Sequence, residues 1–226
     1  MYSEHSSIEP AILYMGTPVV LVSTRNADGG ANLAPMSSAW WLGWRCMLGL
    51  DATSKTTENL IRTGECVLNL PSVGEVTAVD RLACSTGSNP VPEGKRARGY
   101  RHEARKFEAA GLTQIPSETV VPPRVRECPI QMEAVLVARH GLGEDSPWKG
   151  CLLAIEVRIQ RVHVVPEILL DGCPNRIDPD KWRPLIMSFQ KFYGLERVQA
   201  HASRLGDIPE ESYRSPDVER ARRAAK

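Results

Sequence analysis

The chain has 226 residues, 42% of them apolar and 24% charged, with a formal net charge of +1 at pH 7. That length fills one core and would crowd two full domains, and so balanced a charge gives no general pull toward nucleic acid or an anionic membrane. No apolar run is long enough to span a bilayer, and the polar start over 1–10, with Glu4 and Glu9, lacks the basic and apolar segments of a secretory signal.

In chain order, the β-branched run over 18–24 reads as a strand, and Asn26-Ala-Asp-Gly-Gly30 is a turn signal that folds the chain back into a second strand over 31–39. Apolar runs at 46–50 and 66–70 predict two more strands. Between them a short helix opens at Ser54-Lys55-Thr56-Thr57, continues through Asn59-Leu60-Ile61 and stops at Gly64. Residues 85–127 carry Gly87, Pro90, Pro92, Gly94, Gly99, Pro116, Pro122 and Pro123, enough breakers to make this a loop-rich insertion apart from a short element around 103–110. Strands follow at 131–139 and 151–160. In the second, Leu153, Ile155, Val157 and Ile159 alternate with Ala154, Glu156, Arg158 and Gln160, one face core and one wet. Residues 162–165 prolong it or add a seventh strand. The segment Met187-Ser-Phe-Gln-Lys-Phe-Tyr193 reads as a core helix, with an aromatic lid over a site as the alternative. The main domain is expected over 1–205 and a charged surface tail over 206–226. The whole is mainly β, and many short strands with few helices suggest a closed antiparallel barrel.

Two segments carry chemistry. Asn32-Leu33-Ala34-Pro35-Met36-Ser37-Ser38-Ala39-Trp40 offers small residues, hydroxyls and a large flat side chain, so its backbone can approach a planar ring. Ser54-Lys55-Thr56-Thr57 offers hydroxyls, a cation and the free N–H groups of a helix start, which suit a phosphate. Together they predict a site for a phosphorylated aromatic cofactor. Within the insertion Lys95, Arg96, Arg98, Arg101, Arg105 and Lys106 stand against the single acid Glu103. This is a solvated face by default, or a clamp for a second phosphate-bearing ligand such as a nicotinamide dinucleotide. No metal site is expected, because Cys46, Cys66, Cys84, Cys128, Cys151 and Cys173 are widely spaced; they read as reduced thiols of a cytoplasmic protein. Ser85, His102 and Asp80 have no spacing that marks a triad, and no catalytic side chain is named.

The order of Pro18-Val-Val-Leu-Val-Ser-Thr, Asp28-Gly-Gly-Ala-Asn-Leu-Ala-Pro-Met-Ser, Ser54-Lys-Thr-Thr-Glu-Asn-Leu and Gly64-Glu-Cys-Val-Leu-Asn-Leu resembles the flavin reductase-like proteins with the FMN-binding split barrel. Lys106-Phe-Glu-Ala-Ala-Gly-Leu112, Glu127-Cys-Pro-Ile-Gln-Met-Glu133 and Trp148-Lys-Gly-Cys-Leu-Leu-Ala-Ile-Glu-Val157 extend the likeness over roughly 10–195. The resemblance implies a split β-barrel of Greek-key form, with six to seven antiparallel strands, pairing into a homodimer with FMN near the interface. It implies hydride transfer from NADH or NADPH through FMN to free flavin or another small acceptor, with a flavin-dependent monooxygenase as one kind of partner. An FMN-binding electron carrier or sensor is the alternative. Carried over by position, Asn32, Leu33, Ala34 and Pro35 would lie along the isoalloxazine, Ser37, Ser38, Ala39 and Trp40 would border the ring and ribityl chain, and Ser54, Lys55, Thr56 and Thr57 would hold the phosphate. The basic loop around Arg98 leans toward NADPH. Two departures stand out: Trp40-Trp41-Leu42-Gly43-Trp44 is heavy in tryptophan, and His140 lacks the acidic neighbour usual at that turn.

Overall fold

The computed structural model describes residues 5–196, 199–201 and 203–224; Glu4 of the polar start and Lys226 of the tail lie outside them. Strand β1 (Met15–Pro18) leads into β2 (Val20–Arg25). β2 is buried on both faces, which is why its sequence is an apolar run without alternation: Val20 and Val22 enter one apolar cluster and Leu21 another. In the turn after it Asp28 Oδ1 accepts from the Gly30 N–H at 2.8 Å, Gly29 adopts φ 85°, and β3 (Ala31–Met36) returns antiparallel. The strand expected over 31–39 breaks at Ser37 and Ser38. β4 (Ala39–Leu42) starts afresh and turns at Gly43 into β5 (Arg45–Asp51).

Helix α1 (Lys55–Thr63) follows, with Ser54 as its N-cap and Gly64 at φ 74° as its C-cap. β6 (Glu65–Leu70) and α2 (Val76–Arg81) come next. The insertion is stitched by short pieces. β7 (Ser85–Thr86) pairs parallel with β8 (Arg101–His102) around α3 (Glu93–Arg96), and α4 (Lys106–Ala110) precedes the small pair β9 (Gln114–Ile115) and β10 (Arg124–Val125). The long strands β11 (Ile130–Leu142) and β12 (Leu152–Val164) form a hairpin, β12 running on through the residues that could have made a separate strand. β13 (Leu169–Leu170) and β14 (Cys173–Ile177) form a minor pair.

β15 (Leu185–Ser188) and β16 (Lys191–Gly194) replace the helix expected over 187–193. Phe189 and Gln190 take φ 43° and 65°, a tight turn that sets Met187 opposite Phe192, and β1 pairs with the outer side of this hairpin. The chain ends in α5 (Pro216–Ala224), which docks on β12 instead of trailing as a tail. Val218 and Ala221 face inward one turn apart, and Asp217 receives the Arg45 guanidinium at 2.7 Å.

The main sheet runs β3-β2-β6-β11-β12-β5-β4 with every neighbouring pair antiparallel. Its edge strands β3 and β4 are consecutive in the chain, so Ser37 and Ser38 bridge the two edges, and the Gly49 N–H donates to Ser38 O at 2.7 Å, extending the β4–β5 ladder by one rung onto this link. Inside lies one apolar cluster drawn from β2, β4, β5, β6, β11 and β12. A second cluster covers the outer face of β2 and β3 with α2 and α4, joining Leu21 and Leu33 to Val79, Leu82 and Phe107. Among the described residues no helix is long and apolar enough to cross a membrane.

Candidate functional site

A cavity of about 640 Å³ opens where Ser37 and Ser38, the start of α1 and the segment from α2 to α4 meet. At one end is the first turn of α1. Ser54 Oγ accepts from the Thr57 N–H at 3.1 Å and lies 2.8 Å from Thr57 Oγ1, which itself donates to Asp51 O at 2.8 Å. The hydroxyls of Ser54 and Thr57 are thus spent on folding the cap. The N–H groups of Lys55 and Thr56 remain, since helix geometry gives them no acceptor, and both residues line the cavity.

Behind them lies a buried amide and hydroxyl net. Asn32 Nδ2 donates to Thr56 Oγ1 at 3.1 Å, and Asn59 Nδ2 donates to Thr24 Oγ1 at 3.1 Å and Asn26 Oδ1 at 2.8 Å. Because Thr56 Oγ1 accepts from Asn32, its own proton is available to a ligand. Lys55 Nζ sits 2.7 Å from Glu58 at the rim. Gly87 is fitted against this end: a Cβ there would fall 3.0 Å from Lys55 Cγ and closer still to Asn32.

The insertion, which Gly87 joins to the α1 end, supplies a further wall. Lys106 is 2% exposed, and its Nζ donates to Ser85 O at 3.1 Å with no carboxylate partner among the described residues. Burial, reinforced by the neighbouring Lys95 charge and only partly offset by Glu103, lowers the Lys106 ammonium to about 8. Lys95, Arg98 and Tyr100 complete this side; Asp51 and Asp80 are the acids lining the cavity.

Of the residues singled out from sequence, Asn32, Ala34, Pro35, Ser37, Ser38, Ser54, Lys55 and Thr56 line the cavity. Leu33, Ala39, Trp40 and Thr57 do not. Leu33 is in the outer apolar cluster and Ala39 in the barrel core, Thr57 is buried in the cap, and Trp40, 58% exposed, points to the outer face of the sheet. Strand alternation explains β4: Ala39 and Trp41 turn inward, so Trp40 turns out. His140 is exposed on β11, away from the cavity. Sequence reasoning missed Tyr14, Cys84 and Gly87, and gave no site role to Met187, Gln190 and Phe192 beyond the lid alternative. The basic run did carry a signal, since Lys95, Arg98 and Lys106 line the cavity.

The sequence profile of the flavin reductase like domain matches residues 12–193. The chain belongs to the flavin reductase-like family. The uncharacterized protein YdfE of Bacillus subtilis (strain 168) is 40% identical over 190 residues, 84% of this chain and 89% of that protein. Among solved structures, the flavoredoxin of Desulfovibrio vulgaris (Miyazaki F) superposes with a TM-score of 0.70 at 23% identity, covering 90% of this chain and all of that one. Nitrilotriacetate monooxygenase component B from Bacillus cereus gives 0.69 at 23% identity, covering 89% of this chain and 100% of its own. The mainly β split barrel expected from the resemblance is the architecture of this flavin reductase-like chain.

Proposed function

We propose that this flavin-related oxidoreductase binds FMN in the cavity and passes hydride from NADH or NADPH through it to free flavin or another small acceptor. The observation that carries this reading is the convergence of Ala34 on β3, Ser38 in the link to β4 and Thr56 on α1 on one cavity whose α1 end offers unpaired N–H donors. The donor set fits the cofactor: the Lys55 and Thr56 N–H groups, the Thr56 hydroxyl and the Lys55 ammonium suit a phosphate, with Ser54 holding the turn in shape. Ala34, Pro35 and Ser38, small and at the seam, suit a flat ring. Leu33, Ala39 and Thr57 act from behind by holding the strands and the cap. When bound, FMN supplies the hydride acceptor, and the protein supplies position and charge.

Trp40 and Leu42 on β4 and Leu152 on β12, with β5 between the two strands, are exposed at this margin of the sheet and support a homodimer through it, adjacent to the seam. Similarity to a monooxygenase component B supports a flavin-dependent monooxygenase as acceptor. The six free cysteines suit the reducing cytoplasm.

Similarity to a flavoredoxin favours a second reading, an FMN-binding electron carrier or sensor without nicotinamide turnover. Anaerobic titration of the FMN-loaded protein with NADH and NADPH, followed at the flavin absorbance band, decides. Bleaching within a catalytic time supports the reductase; a flavin that stays oxidised supports the carrier, and failure to bind FMN in equilibrium dialysis refutes both.

A further inference from the structure

The basic run divides into two populations. Arg96 and Arg105 face solvent and pair with Glu93 at 3.6 Å and Glu108 at 3.0 Å. Lys95 and Arg98 line the cavity, Arg98 at its exposed rim, and have no carboxylate within ion-pair distance among the described residues. Arg98 is held in place: its Nε donates to Gly94 O at 2.9 Å and its guanidinium lies 5.7 Å over the Tyr100 ring. That leaves its terminal nitrogens, the pair suited to a forked grip on phosphate, without a partner among the described residues. Lys95 is half-buried. Desolvation lowers its ammonium against the opposing pull of Asp51, with Arg98 adding repulsion, so an anion between Lys95 and Arg98 would relieve both.

On the flavin reading above, on which this inference rests, the α1 end is occupied by the cofactor phosphate. The Lys95 and Arg98 arm stands on the wall contributed by the insertion, with Arg98 exposed at the rim. A reductant with its nicotinamide against the flavin would reach this rim with its adenosine half. A monoester phosphate is a dianion near neutral pH, whereas each pyrophosphate group carries a single charge, so two unpaired cations favour the former. We propose that Lys95 and Arg98 form a subsite for the 2′-phosphate of NADPH, making the arm over 88–100 the element that selects the phosphorylated reductant.

The test is calorimetric titration of the FMN-loaded protein with NADP⁺, NAD⁺ and adenosine 2′,5′-bisphosphate, in wild type and in the Lys95→Ala/Arg98→Ala variant. We expect wild type to bind NADP⁺ at least tenfold tighter than NAD⁺. The variant should lose that preference while its FMN and NAD⁺ affinities stay within twofold. Equal wild-type affinities for NADP⁺ and NAD⁺, an unchanged preference in the variant, or a parallel loss of FMN affinity would each overturn the subsite. Binding is read without turnover, so a protein that prefers NADP⁺ yet never bleaches its flavin refutes the reductase and leaves the subsite standing. Should FMN not bind, the bisphosphate titrated into the ligand-free protein reads the same contact, and failure to bind overturns it.

Discussion

Gly87 lies so close to Asn32 that a Cβ at position 87 would fall 2.5 Å from the Asn32 side-chain oxygen. No rotation of a methyl group relieves such a contact, so Gly87→Ala must push aside the amide that braces Thr56. We expect FMN affinity to drop about tenfold, the equivalent of one hydrogen bond lost, with a minor change in thermal midpoint. Quenching of flavin fluorescence on titration measures it.

Thr56 and Thr57 are neighbours with opposite duties. Thr57→Val removes the bond to Asp51 O and disturbs the Ser54 cap, and should cost about 2 kcal/mol, roughly 4 to 8 °C in thermal midpoint, with little effect on FMN affinity. Thr56→Val should do the reverse, weakening FMN about tenfold with less loss of stability. Calorimetric scans paired with dialysis separate the two; equal effects would mean that both hydroxyls serve the cap.

Lys106 gives a pH signature. Its folded ammonium titrates at about 8, below the ordinary 10.5, so between these values the unfolded chain binds more protons and the ligand-free protein gains stability as pH rises. Lys106→Met should flatten that slope and raise stability at pH 7 by removing a buried charge without a counter-ion, while weakening FMN binding. Chemical denaturation across pH 7 to 10, with and without FMN, reads both signs.

Glu133 governs the acid side. Burial alone would raise its carboxyl, but hydrogen bonds from His163, the Thr119 hydroxyl and the N–H groups of Glu118 and Thr119 outweigh burial and hold it at about 2. Its contribution is present above the ordinary carboxylate range and is lost as pH falls toward 2. Glu133→Gln should lower the thermal midpoint by roughly 6 to 12 °C at pH 7, about 3 kcal/mol, and shrink the difference between wild type and variant as the pH is lowered.

What the sequence revealed follows from how local each feature is. α1 was legible because Ser54, Leu60 and Gly64 mark its start, face and stop within one short window, and the β2–β3 hairpin because Asp28 and Gly29 impose the turn. The division of labour between Thr56 and Thr57 was not, since it depends on where a helix turn points relative to Asn32, distant in sequence. That Trp40 lies off the cavity depends on one step of strand alternation, which the break at Ser37 and Ser38 resets. Lys106 reads as one more cation in a basic run, and only the packing of α4 against β3 carries it inside. The hairpin at Phe189 and Gln190 hid because neither residue is one that advertises a left-handed turn.

The sheet order has a consequence for biosynthesis. β6 and β5 do not touch as neighbours; the β11–β12 hairpin is wedged between them. A nascent chain that has emerged as far as Leu70 therefore holds two ribbons with facing raw margins, and nothing can join them until Val164 has left the ribosome. Closure therefore comes late in synthesis, governed by contacts far apart along the chain and correspondingly slow. Products that terminate early would expose sticky borders to one another, and would aggregate before they could ever hold a ligand.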